Sequence, residues 1–320
     1  MPSEQDLKQL QSLPLEQKII ITQTRLLEFY QKERPYFSYS GGKDSAVLWH
    51  IIKRMERAGV IGKIPVIYFN IFYELPSVRA KMKSLEKAGE LRTITGQETP
   101  KQVIERYGYP VITKQVAEQI YTIRNTKSQK QRNKMLFGVQ GEKVFFHGLP
   151  DKYKPLLEAP FKIAPHCCHC LKKKPALQYE RKEKRARITA ITAGESLARR
   201  REWLHHGCNV FGAHAHSAPM AFWTEQDVLR YVKEFRVEIP AEYGSIIDKN
   251  GILETTGLKR TGCSFCLFGA HYPDDNRFLE LQKHDPKMLE FCLEKMGYRS
   301  LISWIHGNTE LRYNLPEGAL

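Results

Sequence analysis

Apolar positions in the first 34 residues recur every three or four places: Leu7, Leu10, Leu13 and Leu15, then Ile19, Ile20, Leu26, Leu27 and Tyr30. That period puts them on one side of a helix, so the segment predicts one or two amphipathic helices ended by Pro35. The pattern then shortens. Residues 36–39 read as a brief strand, Gly41 and Gly42 as a turn, and residues 44–57 as a helix with Val47, Leu48, Ile51, Ile52 and Met55 on one face. Residues 64–70 form a continuous apolar run, as a strand buried on both faces requires. A helix over 77–88, a strand over 91–95, a helix over 113–124 and a strand over 186–192 follow. Thr224 caps a further helix with acids in its first turn. Beyond about residue 240 the chain reads as loop-rich, then helical over 276–296. Strand and helix alternate, which predicts an α/β fold with a mostly parallel sheet covered on both faces. The expected organisation is a helical segment over 1–34, an α/β domain over 35–240 and a cysteine-containing extension over 241–320.

Charge adds a constraint. The 320 residues hold 50 Lys and Arg against 35 Asp and Glu, a net charge of +15. Such a surplus favours polyanionic partners, since one nucleotide occupies only about four or five cations. DNA or RNA is therefore an expected partner. Residues 124–134 carry Arg124, Lys127, Lys130, Arg132 and Lys134 and nothing apolar, as a mobile basic loop or the exposed half of a helix would. Further basic runs lie at 172–174, 181–187 and 199–201. The polar start of the chain and the lack of any run of about 18 apolar residues lead us to expect a cytoplasmic protein without a membrane partner.

Seven cysteines occur, five of them in two tight clusters, which suits metal ligands better than a disulfide framework. Cys263 and Cys266 form a Cys-x-x-Cys loop, and Cys167 with Cys168 would complete a four-thiolate site for iron–sulfur or zinc. Phe265, Leu267 and Phe268 would wall it with apolar surface. Cys208 is an alternate ligand, Cys170 a bystander and Cys292 a core residue.

Between the first strand and the next helix stands Ser40-Gly-Gly-Lys-Asp-Ser45. Its glycines let several N–H groups face one hollow at a helix N-terminus, with Lys43 as a point charge and two hydroxyls beside it: a phosphate cradle. Its spacing is not that of a Walker A loop. The string resembles the signature of the PP-loop ATP pyrophosphatases. Three more strings, at 68–76, 191–199 and 219–228, resemble the phosphoadenosine phosphosulfate (PAPS) reductase branch of that group.

The resemblance implies a doubly wound, adenine nucleotide alpha hydrolase-like sheet holding ATP or a related adenosine nucleotide with Mg²⁺. It implies nucleotide contacts from Ser40, Gly41, Gly42, Lys43, Asp44, Ser45, Asn70, Gly194, Glu195, Ser196 and Arg199, with Lys43, Asp44 and Arg199 catalytic. Arg199 offers a planar donor fork for phosphate or sulfate; Glu195 is open to three roles, holding Mg²⁺, orienting Arg199 or capping a helix. The cysteine pattern resembles the four-iron (4Fe-4S) ligands of adenylyl-sulfate reductases, and residues 166–175 resemble phage, plasmid and DNA-phosphorothioation relatives.

The reductases of this branch use a cysteine in a tail string, and no cysteine follows Cys292. The expected function is thus an ATP pyrophosphatase that adenylylates an acceptor for sulfur transfer or nucleic-acid modification. The sulfur would come from a cysteine desulfurase or another donor. The alternatives are a sulfonucleotide reductase using an external thiol and a binding protein with reduced turnover.

Overall fold

A computed structural model describes residues 1–140, 143–144 and 148–320. In chain order the elements begin α1 (Glu4–Ser12), α2 (Leu15–Lys32), β1 (Pro35–Ser38), α3 (Lys43–Arg57), β2 (Val66–Asn70), α4 (Pro76–Lys87) and β3 (Arg92–Thr95). Then come α5 (Pro100–Tyr107), α6 (Lys114–Asn125), α7 (Gln129–Phe137), β4 (Val139–Gln140), β5 (Lys143–Val144), α8 (Lys174–Glu183), β6 (Ala186–Ile188), α9 (Leu197–His206), β7 (Asn209–Val210) and β8 (His216–Ser217). The chain finishes with α10 (Glu225–Phe235), β9 (Ile246–Lys249), β10 (Ile252–Thr255), α11 (Arg277–His284), α12 (Pro286–Glu290) and α13 (Tyr298–Asn308). No helix among the described residues is long and apolar enough to cross a membrane.

The chain divides into two compact units. The first comprises residues 1–70, 77–95 and 175–261; the second comprises 71–76, 96–174 and 262–320. Residues 241–261 therefore fall with the α/β unit, and 96–174 with the cysteine-bearing one, a division that does not follow the linear boundaries near 34 and 240.

The first unit holds a six-stranded sheet in the order β3-β2-β1-β6-β8-β7. All neighbours run parallel except β7 and β8. Alternation along β1 sends its side chains to opposite faces. Tyr36 meets Tyr179 of α8 at 4.9 Å between ring centroids, while Tyr39, just past the strand, meets Trp49 of α3 at 4.7 Å. Helices thus cover both faces, the doubly wound α/β class that the sequence predicts. Successive strands leave β1 in opposite directions, toward β2 and toward β6, so the sheet has its switch point at the carboxyl end of β1.

One buried ion pair joins three helices. Lys18 is 1% exposed, and its ammonium donates to Asp227 Oδ2 at 2.7 Å and to the Gln11 carbonyl at 2.7 Å. Asp227 also closes the capping box of α10 with Thr224. Trp223, fully buried, donates its indole N–H to Thr22 Oγ1 at 2.9 Å. The 219–228 string is therefore, in this fold, an anchor for α1 and α2.

The second unit is mainly helical, its core built from residues such as Ile112, Ile120, Leu156, Phe265 and Tyr298. Here the structure departs from several expectations. Of the two readings of the stretch 124–134, the exposed helix holds for its second half, while Arg124 departs from both. Arg124 ends α6 and turns inward, donating to the carbonyls of Leu156, Leu157, Ala159 and Phe161 at 2.7–2.9 Å. Lys127 precedes the N-cap Ser128, and Lys130, Arg132 and Lys134 lie on α7, which ends at a left-handed Gly138 and has no buried residue. The helix expected over 276–296 breaks at Asp285, because Pro286 lacks the N–H to continue it. A π-helical turn, Phe291–Lys295, then closes the run. Strands expected over 64–70 and 186–192 are shorter, Val66–Asn70 and Ala186–Ile188. The short helix α5 and the β9–β10 hairpin carry no periodicity long enough to be read from the chain.

Replacing Asp227 by Ala strands the buried Lys18 ammonium and removes a cap. The variant should lose about 3–5 kcal/mol of stability, read as a shift of the urea unfolding midpoint; a loss below about 1 kcal/mol would show that the pair is not holding the helices.

Candidate nucleotide site and cysteine cluster

The Ser40–Ser45 loop leaves the carboxyl end of β1 and enters α3. Gly41 sits at φ +79°, and a Cβ there would stand 2.7 Å from Val78 Cγ1. Both the left-handed backbone and the close approach of α4 therefore demand glycine. Ser40 Oγ donates to Ser45 Oγ at 3.0 Å, and Ser45 Oγ donates to the Gly42 carbonyl at 2.8 Å. No side chain caps α3 at Gly42. The first-turn N–H groups of Asp44 and Ser45 are accordingly turned toward the hollow of the loop, the arrangement that takes an anion.

Lys43 is not an open point charge. It is 2% exposed. Its ammonium lies 3.3 Å from Asp44 Oδ2, 3.1 Å from Glu225 Oε1 and 3.4 Å from the Lys259 carbonyl. Burial by itself would lower its pKa, but Asp44, Tyr243 and Glu225 outweigh burial and hold it above the usual lysine value. Tyr243 is the hub of this corner. Its hydroxyl accepts from the Lys43 N–H at 3.3 Å and from the Thr261 N–H at 3.3 Å, and lies 3.1 Å from Thr261 Oγ1. Glu242, next to it, accepts from the Ser77 N–H at 2.9 Å at the start of α4. Glu225, Tyr243, Lys259 and Thr261 were not legible as site residues. Only Glu225 had a local signal, its place in the first turn of α10.

The other sequence-derived nucleotide residues come to the same sheet edge. β2, β1 and β6 are parallel neighbours, so Asn70 at the end of β2 and residues 192–199 beyond β6 share the carboxyl edge with the glycine loop. Asn70 Nδ2 donates to Thr95 Oγ1 at 3.4 Å. Glu195 resolves between its three roles: Oε1 accepts from the Thr192 N–H at 2.9 Å, and Oε2 pairs with Arg199. In this arrangement it both caps and orients. Ser196 caps α9 by accepting from the Arg199 N–H at 3.3 Å, and Gly194 is exposed.

The cysteine cluster belongs to the second unit. Cys167 is buried, and its thiol is pushed up, first by burial and then by the nearby Cys263, Cys168 and Cys266. Cys266 is pushed up to about 11 by burial and by Cys263, with Arg277 opposing. Burial likewise raises Cys263, which Lys172 opposes by charge and by a hydrogen bond. All four thiols thus share one electrostatic neighbourhood. Among the described residues, no three His, Cys, Asp or Glu side chains are already closed around an ion position.

The loop that carries the second pair is fixed from outside. Ser264 donates its N–H (3.4 Å) and hydroxyl (2.5 Å) to the Tyr73 carbonyl, Tyr298 donates to the Phe265 carbonyl at 2.5 Å, and Arg277 donates to the Cys266 carbonyl at 2.7 Å. Phe265 and Leu267 are fully buried, and Phe268 is half-buried. Directly after Cys168 the chain makes a π-helical turn, His169–Lys173, a distortion that is frequent at functional sites.

The chemistry of the donors, four thiols on two short segments beside the cations Lys172 and Arg277, is that of soft ligands. Lys172 belongs to a run read as nucleic-acid surface, yet its ammonium faces Cys263. Arg277 was not read as a site residue at all. Cys208 lies in the first unit beside Trp203 and Arg25. Cys170 is half-buried, and Cys292 is a core thiol raised to about 12 by burial.

A family model, the phosphoadenosine phosphosulfate reductase domain, matches residues 34–257. The chain belongs to the PAPS reductase family. The match includes the glycine loop and Cys167–Cys168 and ends before Cys263. No curated protein matches the chain. Among solved structures it is similar to a PAPS reductase from Candida auris in a phosphate complex, at 12% identity, 78% of this chain, 96% of that chain and TM-score 0.38. It is similar to FMN adenylyltransferase of Candida glabrata with FMN and AMPCPP, at 10% identity, 79% and 76% coverage and TM-score 0.40. The U34-tRNA thiolase NcsA of Methanococcus maripaludis, with its 4Fe-4S cluster, gives 12% identity, 94% and 83% coverage and TM-score 0.38. Likenesses this distant say nothing of substrate.

Two glycine variants separate loop geometry from mere exposure. Gly41→Ala should lower the melting temperature by the equivalent of about 1–2 kcal/mol, since a left-handed alanine is strained and its Cβ meets α4. Gly194→Ala, with open space around its Cβ, should stay within about 0.5 kcal/mol of the parent. Equal melting of both variants would overturn the geometric reading.

Proposed function

We propose that this PAPS-reductase-family protein is an ATP pyrophosphatase that adenylylates an acceptor for sulfur transfer, with a nucleic acid as the acceptor. The observation that carries this reading is the N-terminus of α3, where glycine stands at the N-cap and the Asp44 and Ser45 N–H groups have no partner among the described residues, in a serine- and glycine-built loop at the sheet's switch point. Backbone N–H groups and hydroxyls there suit the β- and γ-phosphates of ATP. Mg²⁺ arrives as the counter-ion of ATP. An acceptor oxygen attacks the α-phosphorus, the bond from that phosphorus to the bridging oxygen breaks, and pyrophosphate leaves with the electron pair. A sulfur nucleophile then displaces AMP. Arg199, held by Glu195, is placed on the same sheet edge to neutralise the anionic end of the nucleotide. Lys43 and Asp44 act as a pair: Asp44 and Glu225 hold the lysine charged beneath the loop, so it supports the phosphate field from below.

Cys167, Cys168, Cys263 and Cys266 would hold a 4Fe-4S cluster, with zinc as the alternative; when bound, such a cluster supplies a centre for carrying sulfur. The sulfur nucleophile is hydrosulfide, released from a cysteine desulfurase's persulfide by a thiol reductant or supplied by another sulfur donor, and AMP leaves with the electron pair of the bond that breaks. The net charge of +15 supports the nucleic-acid acceptor. The family match keeps a second reading in view, reduction of a sulfonucleotide by an external thiol.

A nucleotide panel decides between them. Pyrophosphate release from ATP in the presence of acceptor supports the pyrophosphatase; turnover of PAPS or adenylyl sulfate with thioredoxin, and none of ATP, replaces it with the reductase. Lys43→Ala should weaken ATP binding at least about tenfold, near 1.4 kcal/mol, with Ser40→Ala as a milder companion that leaves the buried charges in place. Unchanged affinity in both would remove the loop from the site.

Metal content gives a separate check. Protein purified without oxygen should carry about four irons per chain and lose them in Cys263→Ser with Cys266→Ser. Stoichiometric zinc would replace the cluster with a structural metal, and iron retained in the double variant would overturn the ligand set.

A further inference from the structure

A second anionic site lies at the other end of the same sheet. The glycine loop leaves the carboxyl end of β1, whereas an open cleft of about 910 Å³ lies at the amino ends of β1 and β6. With four residues in β1, these ends are about 13 Å apart along the strand. Six cations line the cleft: Lys32, Arg34, Arg181, Lys184, Arg185 and Arg187. Only two carboxylates join them, and both are engaged. Glu33 accepts from the Gly212 N–H at 2.9 Å, and Glu180 accepts from Tyr36 Oη at 2.8 Å and pairs with Arg187 at 3.3 Å. Arg185 is pinned to the Pro35 carbonyl at 3.0 Å.

Arg34, Arg181 and Lys184 differ from these. They are exposed, and among the described residues they form no ion pair or side-chain hydrogen bond. One wall is small, with Gly212 and Ala213 both exposed, so a bulky chain can come close to the backbone there. Next to Gly212 stands Phe211, 41% exposed, with the Lys32 ammonium 4.6 Å from its ring centroid. A single phosphate group needs two or three donors. Six cations in one open cleft call for a ligand with several phosphates in series, and an exposed ring beside them gives a base a face to stack on.

We propose that this cleft holds the backbone of a single-stranded nucleic-acid segment. It gives the acceptor of the preceding section a holding site remote from the phosphate loop, and so rests on that reading. A duplex hides its base faces from Phe211, and a free polyphosphate makes no use of the ring; both are therefore discriminating probes.

The test is fluorescence anisotropy with labelled single-stranded and duplex oligonucleotides over a salt series, with inorganic triphosphate as competitor. The wild-type chain should bind single strands more tightly than duplex. Arg34→Ala with Arg181→Ala and Lys184→Ala should weaken single-strand binding about tenfold or more at 0.1 M salt and flatten the log–log salt slope by about two units. Phe211→Ala should weaken oligonucleotides while leaving triphosphate competition unchanged. Arg34→Lys with Arg181→Lys should bind like wild type. All substituted side chains are exposed, and an unchanged melting temperature confirms the fold. Unchanged affinity and slope in the triple variant would overturn the proposal, as would triphosphate binding without oligonucleotide binding. ATP affinity and pyrophosphate release are measured in parallel. Their loss with cleft binding intact speaks against the pyrophosphatase and not against the cleft.

Discussion

An ammonium group taken out of water must be given oxygen atoms in return, and in the α/β unit that requirement falls on Lys43. Its partners come from four places in the chain: the next residue, the start of α10, the Lys259 carbonyl and the Tyr243 ring. Satisfying this one charge brings the segment 242–261 up against the glycine loop, and Glu242 then fastens the same segment to α4. The loop is thus tied to neighbours that are committed to the lysine beside it. A phosphate cradle built from glycine alone would have no such support.

Charge balance also organises the cysteine-bearing unit, with the opposite sign. Buried thiols resist ionisation, and Cys167, Cys263 and Cys266 are all raised by burial. Lys172 and Arg277 oppose that rise where they reach it. A π-helical turn places the first of these residues and a bidentate bond to Asp275 steadies the second. Cations next to thiols lower the free energy of the thiolate form, the form that ligates metals. Soft donors and counter-charge therefore reinforce one another within a few residues of sequence on each side.

Much of this was readable from the chain. The strands and helices of the sheet announce themselves through continuous apolar runs and helical spacing, and the glycine loop through its composition at a strand-to-helix junction. Long-range partners were not readable. Nothing local marks Tyr243 or Thr261 as companions of Lys43, because that contact spans about 200 residues. Charge runs misled in a consistent way. Arg124 and Lys172 each sat in a stretch rich in solvated neighbours, yet one turns inward to carbonyls and the other, though exposed, lies beside a thiol. A run of like charges reports composition, and the partner of each charge is decided side chain by side chain. Conversely the 219–228 string, conspicuous by family resemblance, proved to be a structural anchor whose Asp227 holds Lys18.

The inward Arg124 has a consequence for how the segment 156–161 can vary. Every bond that the guanidinium makes there ends on a main-chain carbonyl. Those bonds fix the path of the backbone, while the identity of side chains such as Leu156 and Ala159 is constrained separately, by their burial in the core. Residue 124 itself has no latitude. A lysine head carries three donors on one atom and cannot span four oxygens spread along six residues. The path by which the chain leaves the 3₁₀ helix Asp151–Glu158 is stored in a side chain 32 to 37 positions upstream, and descendants of this sequence would preserve that path by keeping one arginine.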